Sequence, residues 1–163
     1  MSTASSVETP AFRSPLRPGA NEGRVALITG GGTGIGRACA LELAGTGAAL
    51  VLCGRREAPL RAVAAEIEAI GGACLAIPAD IRDAEQVERL VGATLERFGQ
   101  IDVLVNNAGG QFSAPAEEIS DGGWRAVHRL AVDAAFSLTR SVAARSMIPR
   151  REGLVVFVGF SPL

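Results

Sequence analysis

From Arg24 onward, short apolar runs alternate with longer segments in which apolar residues recur every three or four positions. The runs RVALIT (24–29), AALVLC (48–53), ACLAIP (73–78), DVLVN (102–106) and LVVFV (154–158) read as β-strands. Their near-continuous apolar character suits strands covered on both faces. Between them, Leu60, Val63, Ala64 and Ile67 fall at i, i+3, i+4 and i+7. Val87, Leu90, Val91, Leu95 and Phe98 keep the same spacing, so each segment is a helix with one buried stripe. Gly47 and the pair Gly71 and Gly72 stand where helices close, and Asp83 is placed to cap the third helix. Strand and helix in alternation predict an α/β fold, a Rossmann-type doubly wound parallel sheet. Right-handed crossovers give five strands in the order 3-2-1-4-5.

The first strand runs into TGGGTGIGRA (29–38). There Gly30 permits a tight turn, Gly34 lets backbone approach a pyrophosphate, and Gly36 lets the next helix pack close to the strand. The phosphates would sit on the N-terminus of that helix, where free N–H groups and the dipole favour negative charge. A glycine-rich string alone is equally a flexible turn. The strand before it, the helix after it and the complete βαβ unit make it a dinucleotide loop. The second strand ends VLCGRRE (51–57). Where a NAD-binding fold usually carries a carboxylate for the ribose 2′-hydroxyl stands Gly54, followed by Arg55 and Arg56. Guanidinium groups hold a 2′-phosphate, which a carboxylate would repel, so NADP is expected over NAD. The alternative is that both arginines are simply solvated at the start of the second helix.

Length and composition narrow the field. The 163 residues, 48% of them apolar, suffice for one core. Sixteen basic and 17 acidic residues are spread along the chain. They form no basic stripe for nucleic acid and no polybasic membrane patch. No run approaches the roughly 18 apolar residues of a membrane span. All the basic residues are Arg, and Tyr is absent too, so no phenol or amine side chain is on offer. Cys39, Cys53 and Cys74 lie in apolar runs without C-x-x-C spacing, and His128 is the lone histidine, so no metal site is expected. His128 and Asp133 lie five apart on one predicted helix and form no dyad; His128 reads as a solvated or packed side chain. Residues 1–22 read as a disordered N-terminal arm without a signal-peptide core, and 23–163 as an incomplete NAD(P)-binding Rossmann domain. A cytoplasmic location is the expectation.

TGGGTGIG (29–36) and NNAG (106–109) together resemble the motifs of the short-chain dehydrogenase/reductase family, and the resemblance spans about residues 23–159. It implies that Asp80, in PADIRD, hydrogen-bonds the adenine amino group, although Asp80 could instead cap the next helix. It also implies that Asn107, Ala108 and Gly109 line the adenosine and ribose side. Thr33, Ile35 and Ile81 complete the cofactor-binding set with Gly30, Gly34, Gly36 and Arg55. NNAGGQFSAPAEEISDGGW (106–124) is similar to trans-2-enoyl-CoA reductases and citronellol-dehydrogenase-like members, which implies hydride transfer to or from an enoyl-CoA, carbonyl or alcohol.

Against the family pattern, the catalytic Tyr-x-x-x-Lys pair is absent, the usual helix Asn falls on Ala131, and the usual Ser falls on Phe160, with Ser161 next to it. Ala131 would continue an apolar stripe of Val127, Leu130, Ala134 and Leu138, and Ser161 reads as an ordinary loop residue. No catalytic residue is assigned. Three expectations stand: the N-terminal portion of an NADP(H)-dependent reductase, a non-catalytic NADP(H)-binding module, or a dimerisation remnant forming homo- or hetero-oligomers. A small-molecule substrate is expected only where a catalytic segment is supplied.

Overall fold

The computed structural model describes residues 15–111 and 114–159. Strands β1 (Val25–Thr29), β2 (Ala49–Gly54), β3 (Cys74–Pro78), β4 (Val103–Asn106) and β5 (Leu154–Phe157) form one parallel sheet in the order β3-β2-β1-β4-β5, as the alternation predicts. Helices α1 (Gly34–Gly45), α2 (Glu57–Ala69) and α3 (Ala84–Phe98) link the first four strands. Between β4 and β5, α4 (Asp121–His128), α5 (Ala135–Val142) and α6 (Ile148–Arg150) follow one another through π-helical segments at Arg129–Ala134 and Ala143–Met147.

The pleat sorts the core into two layers. Leu27, Val51 and Leu104 point to one face, where Val87, Leu90, Val91, Leu138 and Val142 cover them. Ile28, Leu52 and Val105 point to the other, against Ala40, Ala44, Leu60, Val63 and Ile67. The helix stripes of α2 and α3 are therefore the ones their spacing predicts. Asp83 caps α3 by accepting from the backbone N–H groups of Glu85 and Gln86, and Gly47 and Gly71 turn the chain at positive φ after α1 and α2.

Two expectations give way. β5 is not covered on both faces: Leu154, Val156, Phe157 and Val158 are exposed, because β5 is an edge strand with apolar cover on only part of its surface. Ala131 is exposed rather than on the stripe. The π-helical segment at Arg129–Ala134 shifts the phase of the helix, and burial resumes at Ala134, Ala135, Leu138 and Val142.

A buried carboxylate fastens the end opposite the glycine loop. Asp102, 2% exposed, accepts from the Val25 N–H at 2.7 Å, Gln100 Nε2 at 2.9 Å and Arg150 Nη2 at 2.6 Å. Beside it, Ser146 Oγ accepts from the Ile101 N–H at 2.8 Å. Residues 18–23 wind through turns, and Asn21 Nδ2 donates to Thr46 Oγ1 at 2.7 Å.

Candidate cofactor site

The carboxyl ends of β1 to β4 open on one cleft of about 350 Å³. Gly30 leaves β1 with φ +66°, and a Cβ there would lie 2.8 Å from Asn107 Nδ2 and 3.2 Å from Ala108 Cα. Only a residue without a side chain lets the β1 turn nest against the β4 turn. Gly36 is tighter still: its Cβ would stand 2.3 Å from the Gly30 carbonyl oxygen, so α1 presses directly onto the loop.

Thr29 and Asn107 lock the two turns together. Thr29 Oγ1, buried, accepts from the N–H groups of Asn107 at 3.0 Å and Ala108 at 2.9 Å, and it donates to the Val105 carbonyl at 3.3 Å. Asn107 Nδ2 donates back to the Thr29 carbonyl at 2.9 Å. A single hydroxyl thus fixes the backbone of NNAG against β1.

The N-terminus of α1 is open. Its N-cap, Thr33, makes no side-chain cap bond, and the first turn carries no acidic residue. Gly34 takes φ +54° with nothing within 4 Å of where a Cβ would project. In α3 the Asp83 carboxylate fills that place. The bare N–H groups and helix dipole of α1 therefore remain for an external anion.

Gly30, Thr33, Ile35, Arg55, Asp80, Ile81, Asn107, Ala108 and Gly109 all line the cleft, so the structure brings nine of the sequence-predicted residues together. Gly34 and Gly36 stand behind it and shape α1 rather than its wall. Gly54, Arg56, Ala79, Arg82 and Leu130 also line it. Sequence reasoning placed Gly54 and Arg56 nearby but passed over Thr29, Arg82 and Leu130. The signal for Arg82 was the D-x-R spacing of an Asx turn. Leu130 reaches the cleft from the π-helical segment, which periodicity alone does not reveal.

The charges are unequal: Arg55, Arg56 and Arg82 face the lone carboxylate of Asp80 among the lining residues. Asp80 Oδ1 accepts from the Arg82 N–H at 3.0 Å and Nε at 2.9 Å, while Oδ2 accepts from Nη2 at 2.6 Å. These bonds hold the Asp80 carboxyl down at about 2, with Arg55's charge adding to the effect. Asp80 does not cap α3; Asp83 does. Cys53 lies beneath, its thiol pushed up to about 12 by burial first and by Asp80's charge second.

The set fits a dinucleotide: a glycine turn that tolerates no Cβ, an uncapped helix N-terminus, and a cationic wall at the end of β2. Phe160 and Ser161 lie outside the described residues. His128 stacks on Trp124 at 4.2 Å between ring centroids, away from the cleft-lining set, and its Nδ1 is buried without a partner. Among the described residues no cluster of metal-ligating side chains occurs, and no helix is long and apolar enough to cross a membrane.

Comparison with known proteins agrees with this geometry. A family model described as short chain dehydrogenase matches residues 24–161. The peroxisomal 2,4-dienoyl-CoA reductase of Arabidopsis thaliana is 40% identical over 114 residues, covering 70% of this chain and 38% of its own length. A 3-oxoacyl-[acyl-carrier-protein] reductase of Synechocystis is 37% identical over 134 residues, covering 82% of this chain and 54% of its own. Among solved structures, a citronellol catabolism dehydrogenase of Pseudomonas aeruginosa superposes with a TM-score of 0.83 at 40% identity, over 90% of this chain and 59% of that one. A 7α-hydroxysteroid dehydrogenase complexed with NADH superposes with a TM-score of 0.79 at 31% identity, over 84% of this chain and 53% of that one. The chain spans about half the length of the curated relatives it matches.

Proposed function

The chain belongs to the short-chain dehydrogenase family, and on that premise we propose that its residues form the cofactor-binding half of an NADP(H)-dependent oxidoreductase. The observation that carries the cofactor choice is the end of β2. Gly54 stands where a carboxylate would hold a ribose 2′-hydroxyl, and Arg55 and Arg56 face the cleft beside it. A 2′-phosphate held there by charge-assisted hydrogen bonds gains about 1.5–3 kcal/mol per bond, one to two decades in affinity. The pyrophosphate rests on the N-terminus of α1, and the adenosine side lies along Asp80, Ile81 and the Asn107–Ala108–Gly109 turn.

The bound cofactor supplies or accepts the hydride. The substrate class is an enoyl-CoA, a carbonyl compound or an alcohol, the range that the names of the relatives span. These 163 residues hold no Tyr and no Lys, so they offer no phenol to exchange the proton and no amine to lower its pKa. Hydride transfer also requires reactants held in near-attack geometry, and the described residues build only the adenosine and phosphate side. The chain by itself is therefore an NADP(H)-binding body with negligible turnover, and a non-catalytic binding module is the second reading that the same absence favours. A cytoplasmic location and a homo- or hetero-oligomeric state belong to this proposal.

Calorimetric titration of the purified chain with NADPH and with NADH tests it. Tighter binding of NADPH by at least tenfold is the expected result. Equal affinities would sink the cofactor assignment, and measurable turnover of an enoyl-CoA by the chain alone would sink its catalytic incompetence.

A further inference from the structure

The arginines at the end of β2 can hold a phosphate only while no carboxylate of the chain holds them. Two carboxylates are placed to do so. Glu57, next to Arg56 in sequence, is engaged by Arg61 Nε at 2.6 Å across one turn of α2. Asp80 shares the cleft wall with Arg55, and it is the acidic side chain among the lining residues. Both oxygens of its carboxylate are already engaged by one cation. Oδ1 accepts from the Arg82 backbone N–H and Oδ2 from Nη2 at 2.6 Å, while the single Nε–H is shared between them at 2.9 and 3.1 Å, so one residue engages both oxygens. Arg55 forms no hydrogen bond or ion pair among the described residues.

We propose that Arg82 is a positioning residue for cofactor selectivity: by taking up both oxygens of Asp80 it keeps that carboxylate off Arg55 and leaves the Arg55 guanidinium to a 2′-phosphate. This rests on the NADP(H) reading of the cleft. Arg82 acts through Asp80 and touches no phosphate. The planar fork of a guanidinium is suited to the task, since it can meet both carboxylate oxygens at once while the Asx turn fixes its root. Released from it, Asp80 is an unpaired carboxylate facing an unpaired cation across the same cleft. Their pairing competes directly with phosphate.

The probes are adenosine 2′,5′-bisphosphate and adenosine 5′-monophosphate, which differ by the 2′-phosphate and need only the adenosine side of the site. In the unaltered chain the bisphosphate binds more tightly. Arg82→Gln weakens bisphosphate binding about tenfold, the worth of one charge-assisted hydrogen bond, and leaves monophosphate binding within about twofold. Arg82→Lys, which keeps the charge beside Asp80, restores most of the preference, and so does adding Asp80→Asn to Arg82→Gln. A merely structural role for Arg82 would weaken both probes alike and show no rescue by Asp80→Asn; that result overturns the proposal, as does an unchanged ratio in Arg82→Gln. Failure of the underlying reading looks different. The bisphosphate would then show no advantage in the unaltered chain, or Arg55→Ala combined with Arg56→Ala would leave its advantage intact, and either outcome overturns both; an advantage intact in Arg55→Ala alone overturns the role of Arg82.

Discussion

Thr29 illustrates how much one buried hydroxyl can organise. Its oxygen accepts from the N–H groups of Asn107 and Ala108 at the point where β4 ends; the Asn107 N–H is shared with the Val105 carbonyl at 3.0 Å. Thr29→Val keeps the shape but removes the acceptor of the Ala108 N–H and one of the two acceptors of the Asn107 N–H, at a total cost of about 1–3 kcal/mol. Urea unfolding should show that loss, and amide exchange should quicken at Asn107 and Ala108 first. At Gly36, a Cβ at 2.3 Å from the Gly30 carbonyl would push α1 away from β1. Gly36→Ala is expected to cost about 1–3 kcal/mol by overpacking. Gly34→Ala meets open space and carries only the left-handed backbone penalty of about 1–2 kcal/mol, so its phosphate affinity, not its packing, distinguishes the pair.

The titrating residues give two pH limbs of opposite sign. Asp80 is depressed in the fold to about 2, so its stabilisation is complete above the ordinary carboxylate value of about 4 and drains away as pH falls toward 2. Cys53 is raised to about 12, so its contribution is complete below the ordinary thiol value of about 8.5 and drains away as pH rises toward 12. Asp80→Asn should make the acid limb shallower and Cys53→Ala the alkaline one in pH-dependent thermal melts, the remainder of the alkaline limb belonging to Cys74, which burial also pushes up to about 12. Being neutral as well as buried at pH 8, Cys53 should resist iodoacetamide in the folded chain.

At the scale of elements, the stretch from α4 to α6 decides how the sheet is closed. Its two π-helical segments re-phase the buried stripe, so that Leu138, Val142 and Met147 rather than Ala131 meet the core. Its far end is tied down by Arg150 to the buried Asp102 and by Ser146 to Ile101. Asp102 in turn holds the start of β1 through the Val25 N–H. Asp102→Ala leaves the Val25 N–H without its acceptor and leaves Arg150, partly solvated and 4.0 Å from Glu152, without its nearer carboxylate, at a cost of about 1–3 kcal/mol for the stranded donor. Urea midpoints should fall accordingly. The midpoint of Arg150→Ala should fall at least as far, because it leaves the buried Asp102 carboxylate without its cation, and an uncompensated buried charge costs about 3–5 kcal/mol.

For the whole molecule, the uneven cover of the sheet matters most. Phe136, Phe157, Trp124 and Leu154 are each more than half exposed, and among the described residues β5 is the outer strand of the sheet. Apolar surface of this extent beside the outer strand of a sheet favours association. The chain is expected to sediment as dimers or larger species at micromolar concentration, with Phe136→Glu shifting it toward monomer. A monomer at every concentration would show that these side chains drive no assembly.

The strand order, the two helix stripes on α2 and α3, the cap at Asp83 and the glycine loop were all legible in the chain. Each is set by local chemistry: periodicity, a capping carboxylate, or a position where no Cβ fits. Most of the residues that line the cleft were legible too, since parallel strands deliver their carboxyl ends to one edge. The Asp80–Arg82 clamp, the Thr29 lock on NNAG, Leu130 in the cleft and the bare face of β5 were not. They depend on which side chains meet once five strands align and on a helical phase shift that no repeat announces. Sequence by itself determined what the elements are and which edge of the sheet carries the cleft; only tertiary contact decided which charges on its wall are already paired, because ion pairing is settled by distance in space.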